Sequence, residues 1–225
     1  MDRYLTEEEQ ARLLTLLRKE GAVCLLARRD DAVCRALINS GARIHEFSLV
    51  TVGDTLAALR SGYLFVPREH RKGYSAGRAK DHSVYLTTTL REALEDLLKV
   101  RALMTGGEDG RAEDPLVIGR EGRRLSVRSY QARMKKWGAQ AGLPPRFSPH
   151  WLRHTLAMNL KRRSTSPDPR GVLKAALGHA DIRSGGIYMT TSREEVEEAL
   201  RQAAGKGRRR ISTRALRREF EGRAG

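Results

Sequence analysis

Only two of the 225 residues are cysteines, Cys24 and Cys34, so neither a zinc finger nor a disulfide framework can be built from them. Cys24 lies in the apolar run Ala22–Leu26 and Cys34 in a helical stretch, and both read as buried, reduced thiols of a cytosolic chain. Long apolar runs are missing too: no stretch reaches the roughly 18 residues that a membrane span requires. Met1-Asp2-Arg3-Tyr4 opens no secretory h-region. A Walker motif, a dinucleotide fingerprint and internal repeats are also lacking, which removes the common nucleotide-cofactor and solenoid classes. Aromatics are few, at 5% of residues. Acid is in short supply as well, with 27 Asp and Glu against 43 Lys and Arg, a net charge of +16 and a pI near 10.6. A surplus of that size favours a polyanion, because each neutralised phosphate releases a condensed counterion. Double-stranded DNA is the expected partner, and the expected location is the cytoplasm, on the nucleoid when DNA is bound.

The 40% hydrophobic content is enough for one sizeable core. Thr6 with Glu9 forms a capping-box pattern ahead of Leu13, Leu14, Leu16 and Leu17, so a helix should start there. A second helix is expected over Asp30–Leu37, ended by Ser40-Gly41, which puts Arg43 just beyond it. Tyr63–Val66 and Ser83–Leu86 read as a strand pair. Their connection, Pro67–His82, is too long for a tight turn and carries Arg68, Arg71, Lys72, Arg78 and Lys80. It is expected to project as a basic probe of DNA, the bland alternative being a solvated loop.

Further helices are expected over Thr89–Leu103, Ser126–Ala141, a stretch beginning after Pro149, Pro169–Leu177 with Gly178 as its cap, and Ser192–Ala204. Leu116–Ile118 should be a short strand or core segment. From Arg201 onward eight Arg and one Lys face two Glu, and this tail, with Arg208, Arg209 and Arg210, is expected to track phosphates. The fold class expected is α+β, mostly helical, with a small antiparallel sheet.

Three separated segments carry the chemistry. His150 and Arg153, three residues apart on one helix, share a face and can contact one ligand. A guanidinium matches phosphate oxygens through parallel hydrogen bonds that lysine cannot reproduce. His179 follows Gly178, and Tyr188 comes nine residues later. Arg43 stands in Ser40-Gly41-Ala42-Arg43-Ile44-His45-Glu46. Each alone has an ordinary structural reading: a surface arginine, a capping histidine, a half-buried tyrosine.

Taken in order, Ser-Gly-Ala-Arg-Ile-His-Glu, His-Trp-Leu-Arg-His-Thr and Leu-Gly-His followed by Tyr188 resemble the signature boxes of the tyrosine recombinases, the phage integrase family. The resemblance runs from Leu5 to about Leu200 and implies the fold of that family's catalytic domain over residues 1–204, with residues 205–225 as a basic tail. It implies that Arg43 and Arg153 clamp a scissile phosphate, that His150 accepts or orients a proton, that His179 bonds a phosphate oxygen and that Tyr188 is the nucleophile. Glu46 matches an acidic residue that supports the site from behind. Lys72 is favoured for the family's catalytic lysine, with Lys80 as the alternative.

A phenol with a reference pKa of about 10 needs a proton acceptor and a neutralised phosphate to attack at neutral pH. Fixed cations supply the second requirement with no metal or cofactor. The expected product is a 3′-phosphotyrosyl bond, and the expected activity is site-specific DNA recombination. Two alternatives stay open: a type IB topoisomerase-like relaxing activity, and a DNA-binding accessory protein that exchanges no strands.

Family members carry a helical DNA-clamping module ahead of this domain, whereas here the resemblance begins almost at Met1. The chain is therefore expected to be a minimal recombinase, an excised domain, or half of a clamp completed by a partner. Self-assembly into a tetrameric synapse on DNA is implied by the resemblance alone.

Overall fold

Thr6 accepts a hydrogen bond from the Glu9 amide, and the Glu9 carboxylate accepts one from the Thr6 amide, which starts helix α1 (Glu7–Gly21) where the pattern placed it. The computed structural model describes residues 4–72, 74–77, 79–107, 110–178 and 193–204. Helix α2 (Leu25–Ser40) is longer than expected and packs against α1 on one side. Its apolar residues surround the whole helix (Ala27, Ala32, Val33, Cys34, Ala36, Leu37, Ile38), as a central core helix requires. The charges it buries are paired. Asp30 accepts from Arg29, from Arg133 Nε at 2.6 Å and from Trp137 Nε1 at 2.7 Å. Cys24 departs from its expectation: it is the residue before α2, its side chain is exposed, and only Cys34 is buried.

Gly41 ends α2 with φ +61°, a left-handed conformation that glycine adopts without strain. The chain turns at once into α3 (Ile44–Ser48) and then α4 (Val52–Ser61), the latter opened by a Thr51–Asp54 capping box. Strands β1 (Tyr63–Val66) and β2 (His82–Tyr85) pair antiparallel, with Tyr63 opposite Tyr85 and Val66 opposite His82. Helix α5 (Thr88–Met104) covers the other side of α2. Leu116, Val117 and Ile118 are buried core residues joined to neighbouring chain by isolated bridges and single hydrogen bonds rather than by a strand ladder.

Helix α6 (Val127–Gln140) follows, then α7 (Pro149–Arg163) with proline in its first turn, where the missing N–H costs nothing. Helices α8 (Pro169–Leu177) and α9 (Arg193–Ala204) pack on α7 and on each other. The result is the expected mostly helical α+β fold with one two-stranded antiparallel sheet among the described residues.

Burial divides this fold into two cores. The larger gathers α1, α2, α5, α6 and the inner faces of the sheet around residues such as Leu13, Leu37, Leu64, Leu94 and Trp151. The smaller is built by Leu156 and Leu160 of α7, Val172, Ala176 and Leu177 of α8, and Ala199, Leu200 and Ala203 of α9. Helix α7 belongs to both: Trp151 and Leu152 face the larger core and Leu156 and Leu160 the smaller. A further tie at α7 is Thr155, whose hydroxyl accepts from the Leu5 amide at 3.0 Å. The seam between the two cores is therefore fixed by one continuous helix, and the charged groups described next lie along it.

Candidate active site

Two helix ends meet at the seam. The carbonyl of Gly41, capping α2, and that of Leu177, the last residue of α8, both accept from the Arg153 guanidinium, the second at 2.8 Å. Both carbonyls lie at helix C-termini, where the aligned peptide dipoles favour a cation. Added atoms at Gly41 would collide with Leu156 and Leu177, so the close approach of the two helix ends also needs a glycine there.

Arg153 is only 5% exposed. Burial, followed by the nearby charge of Arg43, pushes its pKa down to about 10; Glu46 opposes this and Arg71 adds to it. The group remains protonated at neutral pH, yet it is short of negative charge.

Arg43 approaches from the larger core. It precedes α3, and Glu46 reaches back to bond both its backbone amide at 2.9 Å and its Nη1 at 2.8 Å. Glu46 is 3% exposed while the Arg43 side chain is 32% exposed, so the carboxylate is the buried support and the guanidinium the outward-facing group. Burial alone would raise the Glu46 pKa. The hydrogen bonds from the Arg43 backbone and side chain, and the charges of Arg43 and Arg71, overcome that and hold it below the usual carboxylate range.

Arg71 joins this cluster against expectation. Expected on a loop that projects as a basic probe of DNA, it is instead 7% exposed, with Nε 3.6 Å from Glu46 Oε1. Its Nη1 donates to the Lys80 carbonyl at 2.8 Å and its Nη2 to the Gly178 carbonyl. The physical reason is that the carboxylate and the two carbonyls around this pocket accept but cannot donate, and a guanidinium satisfies all three sides.

The described residues of the loop form short 3-10 turns at Arg68–His70 and Tyr74–Ala76, and the Arg68 amide donates to Asp81 across its base. Lys72 and Lys80 have exposed side chains on it. His82 was not singled out by sequence either. Its Nε2 lies 3.2 Å from the Ala176 carbonyl, and burial, then the charge of Arg71, lowers its pKa to about 4, so the ring is neutral at pH 7.

His150 is exposed in the first turn of α7, and its ring meets that of His154 edge to face at 4.4 Å. The structure thus gathers Arg43, Glu46, Arg71 and Arg153 at the seam, with His150 one turn from Arg153 on the same helix. Among the described residues Arg43 and Arg71 pair with the Glu46 carboxylate while Arg153 is held by carbonyls, a net positive charge that calls for an anion. His179, Tyr188, Arg78, Arg208, Arg209 and Arg210 lie outside the described residues. Sequence reasoning also passed over the segment from Arg120 to His150, which holds eight Lys and Arg against one acidic residue. A charge count by window would have found it. It borders the site through Arg124, whose Nη1 donates to the Ser48 carbonyl of α3 at 2.6 Å. No group of three or more metal-ligating side chains occurs among the described residues.

Comparison with known proteins gives this geometry a family. The model of the phage integrase family matches residues 3–195. The chain belongs to the phage integrase family. Among curated members, it is 34% identical over 185 residues to the tyrosine recombinase XerC of Azotobacter vinelandii, covering 82% of this chain and 56% of that protein. It is 36% identical over 179 residues to the XerC of Pseudomonas fluorescens, covering 79% and 53%. The chain thus spans about half the length of the curated relatives it matches.

Solved structures share the fold. The XerA recombinase superposes with a TM-score of 0.61 at 20% identity, covering all of this chain and 65% of that one. The integrase of mycobacterium phage Brujita gives 0.62 at 16% identity, covering 96% and 63%. XerH bound to its difH substrate in a post-cleavage complex gives 0.57 at 22% identity, covering 80% and 47%.

Proposed function

We propose that this phage integrase family chain is a site-specific tyrosine recombinase that cuts and rejoins double-stranded DNA. The observation that carries the reading is the meeting at one seam of Arg43 and Arg71, both paired with Glu46, and Arg153, held by backbone carbonyls, in a chain whose relatives are named tyrosine recombinases. A phosphodiester entering the seam would meet the outward-facing Arg43 guanidinium and the anion-poor surroundings of Arg153. As negative charge grows on the non-bridging oxygens in the transition state, cations that are already fixed stabilise it without reorganising.

The Tyr188 phenol oxygen forms a bond to phosphorus while the bond from phosphorus to the 5′ oxygen breaks. The phenol proton passes to a base, for which His150 is the candidate. The 5′ oxygen gains a proton from a lysine ammonium, Lys72 in preference to Lys80. His179 donates a hydrogen bond to a phosphate oxygen. The 3′-phosphotyrosyl ester keeps the energy needed for religation, so no nucleotide is consumed. Glu46 holds Arg43 in place and touches no substrate.

Arg68, Arg78, Lys80 and the tail residues Arg208, Arg209 and Arg210 are proposed to contact the DNA backbone, as is the basic surface around α6. Residues 1–204 act as the catalytic domain and residues 205–225 as a basic arm. Assembly into a tetrameric synapse, and a DNA clamp completed by another chain, belong to the same proposal.

The test is covalent trapping. The protein and Tyr188→Phe are incubated with nicked duplexes of random sequence, and adducts that resist SDS are collected. Adducts made by the wild type and absent from the variant are expected, and sequencing their DNA gives the site. Binding without any adduct would count against the enzyme and for a DNA-binding accessory role.

A further inference from the structure

Arg71 is assigned no contact with the phosphate above, yet its side chain is engaged on three sides at the seam. Its guanidinium joins three separate pieces of chain: Glu46 behind Arg43, the Lys80 carbonyl at the far end of the β1–β2 connection, and the Gly178 carbonyl at the end of α8. A planar fork spreads five N–H donors over three nitrogens and can reach acceptors set apart on three sides, whereas an ammonium presents its three donors from one point. The fit is close. A Cβ on Gly178 would lie 2.6 Å from Arg71 Nη2 and 2.7 Å from His82 Cγ, and Gly178 has φ +60°. Position 178 is therefore glycine for two reasons, its backbone conformation and the room it leaves for Arg71 and His82.

The three anchor points matter because of what adjoins them. Lys72 is the next residue after Arg71, and Lys80 supplies one of the acceptors, so both lysines of the loop are held through a side chain that is not theirs. Gly178 directly precedes His179. Arg71 Nε is buried and makes no hydrogen bond, and it faces Glu46 at 3.6 Å, so the loop is drawn in by charge as well as by the two carbonyl bonds.

We propose that Arg71 is a positioning residue for proton delivery to the leaving 5′ oxygen, fixing the lysine-bearing loop against Glu46 and the end of α8. This rests on the recombinase reading. When Tyr188 attacks and the bond from phosphorus to the 5′ oxygen breaks, the departing alkoxide takes a proton from the loop lysine. Loss of Arg71 misplaces that donor and leaves the Arg43–Glu46 pair standing.

The experiment uses the full chain and a duplex carrying the site recovered by covalent trapping. The duplex is made in two forms, one with the natural 5′ bridging oxygen at the scissile position and one with sulfur there. A thiol has a pKa of about 8.5, so a thiolate departs without being protonated. Wild type, Arg71→Lys and Arg71→Ala are compared for the rate of adduct formation, with Tyr188→Phe as the control. The variants are expected to be slower by roughly 10- to 100-fold on the oxygen substrate, and within about threefold of wild type on the sulfur substrate.

Equal losses on both substrates, or full activity on oxygen, would overturn the role assigned to Arg71. If neither variant folds, as judged by circular dichroism, Arg71 is a determinant of the fold and the proposal fails. Absence of wild-type adduct on both substrates, or adducts that persist in Tyr188→Phe, would sink the recombinase reading itself, which is a separate result.

Discussion

Arg43 stands on the larger core and faces a carboxylate, whereas Arg153 stands on α7 and is received by backbone carbonyls at the ends of α2 and α8. The two guanidiniums serve one proposed ligand, but they are held by opposite means. Arg43 is neutralised by Glu46 and remains partly exposed, so its position can adjust as a ligand binds. Arg153 is oriented by dipoles that carry no formal charge. It is fixed in place but not neutralised, and burial, then the charge of Arg43, lowers its pKa to about 10. Dipoles at helix ends therefore place a cation without consuming its charge, while a carboxylate supports its cation at the expense of some attraction for an anion.

The sharpest way to break this comparison is to shorten each group in turn. Arg153→Lys should lower adduct formation by about 10³-fold or more, since two placed donors are lost together. It should also destabilise the fold by about 2–4 kcal/mol, because the Gly41 and Leu177 carbonyls would be left buried with incomplete partners. Arg43→Lys should cost about 10²-fold in adduct formation but less than about 1 kcal/mol in stability, since that side chain is partly solvated. Urea denaturation of both variants beside trapping assays separates the two effects. Equal stability losses would show that the carbonyl cradle does not hold Arg153 as described.

A smaller effect comes from His82, on the side of the seam where the sheet meets α8. Its neutral ring faces the Ala176 carbonyl, with Arg71, Glu46 and Arg153 as the charges nearby. Its folded pKa of about 4 lies below the 6.5 that is usual for a histidine. The unfolded chain therefore takes up a proton first as the solution is acidified. The stability due to this group is fully present above about pH 6.5 and is lost progressively as pH falls through 4, on the order of 3 kcal/mol in all. Glu46, whose carboxyl is held below its usual range, acts in the same direction at lower pH. His82→Gln can still donate to Ala176 and cannot titrate, so its stability should vary less with pH between 6.5 and 4. An unchanged slope in urea titrations would remove His82 as the cause.

Much of this arrangement was legible in the sequence where local rules apply. The Thr6–Glu9 box, the proline opening α7, and Gly41 and Gly178 as helix caps are all short-range signals, and the structure places them so. Spacing alone put His150 and Arg153 on one helix, while the support of Glu46 for the site was implied by the resemblance to the family. What stayed hidden depended on distant chain. Helix α4 was missed because it is only ten residues long and its capping box uses Asp54 in place of Glu or Gln. The burial of Arg71 is decided by a carbonyl 107 residues away, and that of His82 by one 94 residues away, so neither can be read from the basic loop that contains them. Cys24 failed for the opposite reason: it sits in an apolar run, yet the run straddles a helix start and leaves the thiol outside.

The smallest expected effect lies at the outer lip of the seam, where α9 meets the sheet. The Arg201 guanidinium stacks 5.1 Å above the Tyr85 ring, donates from Nε to the Tyr85 hydroxyl at 3.1 Å, and pairs with Glu197 and Glu198. Its side chain is 51% exposed, so water and salt weaken every one of these contacts. Arg201→Gln should cost no more than about 0.5 kcal/mol at low salt and still less at 1 M salt. The stability loss of Arg153→Lys, arising in a buried group, should persist at 1 M salt. If the Arg201 loss proved as large as that of Arg153 and equally indifferent to salt, the smaller core would be held from its surface rather than from the seam, and the contrast between the two supports would no longer explain how the site is built.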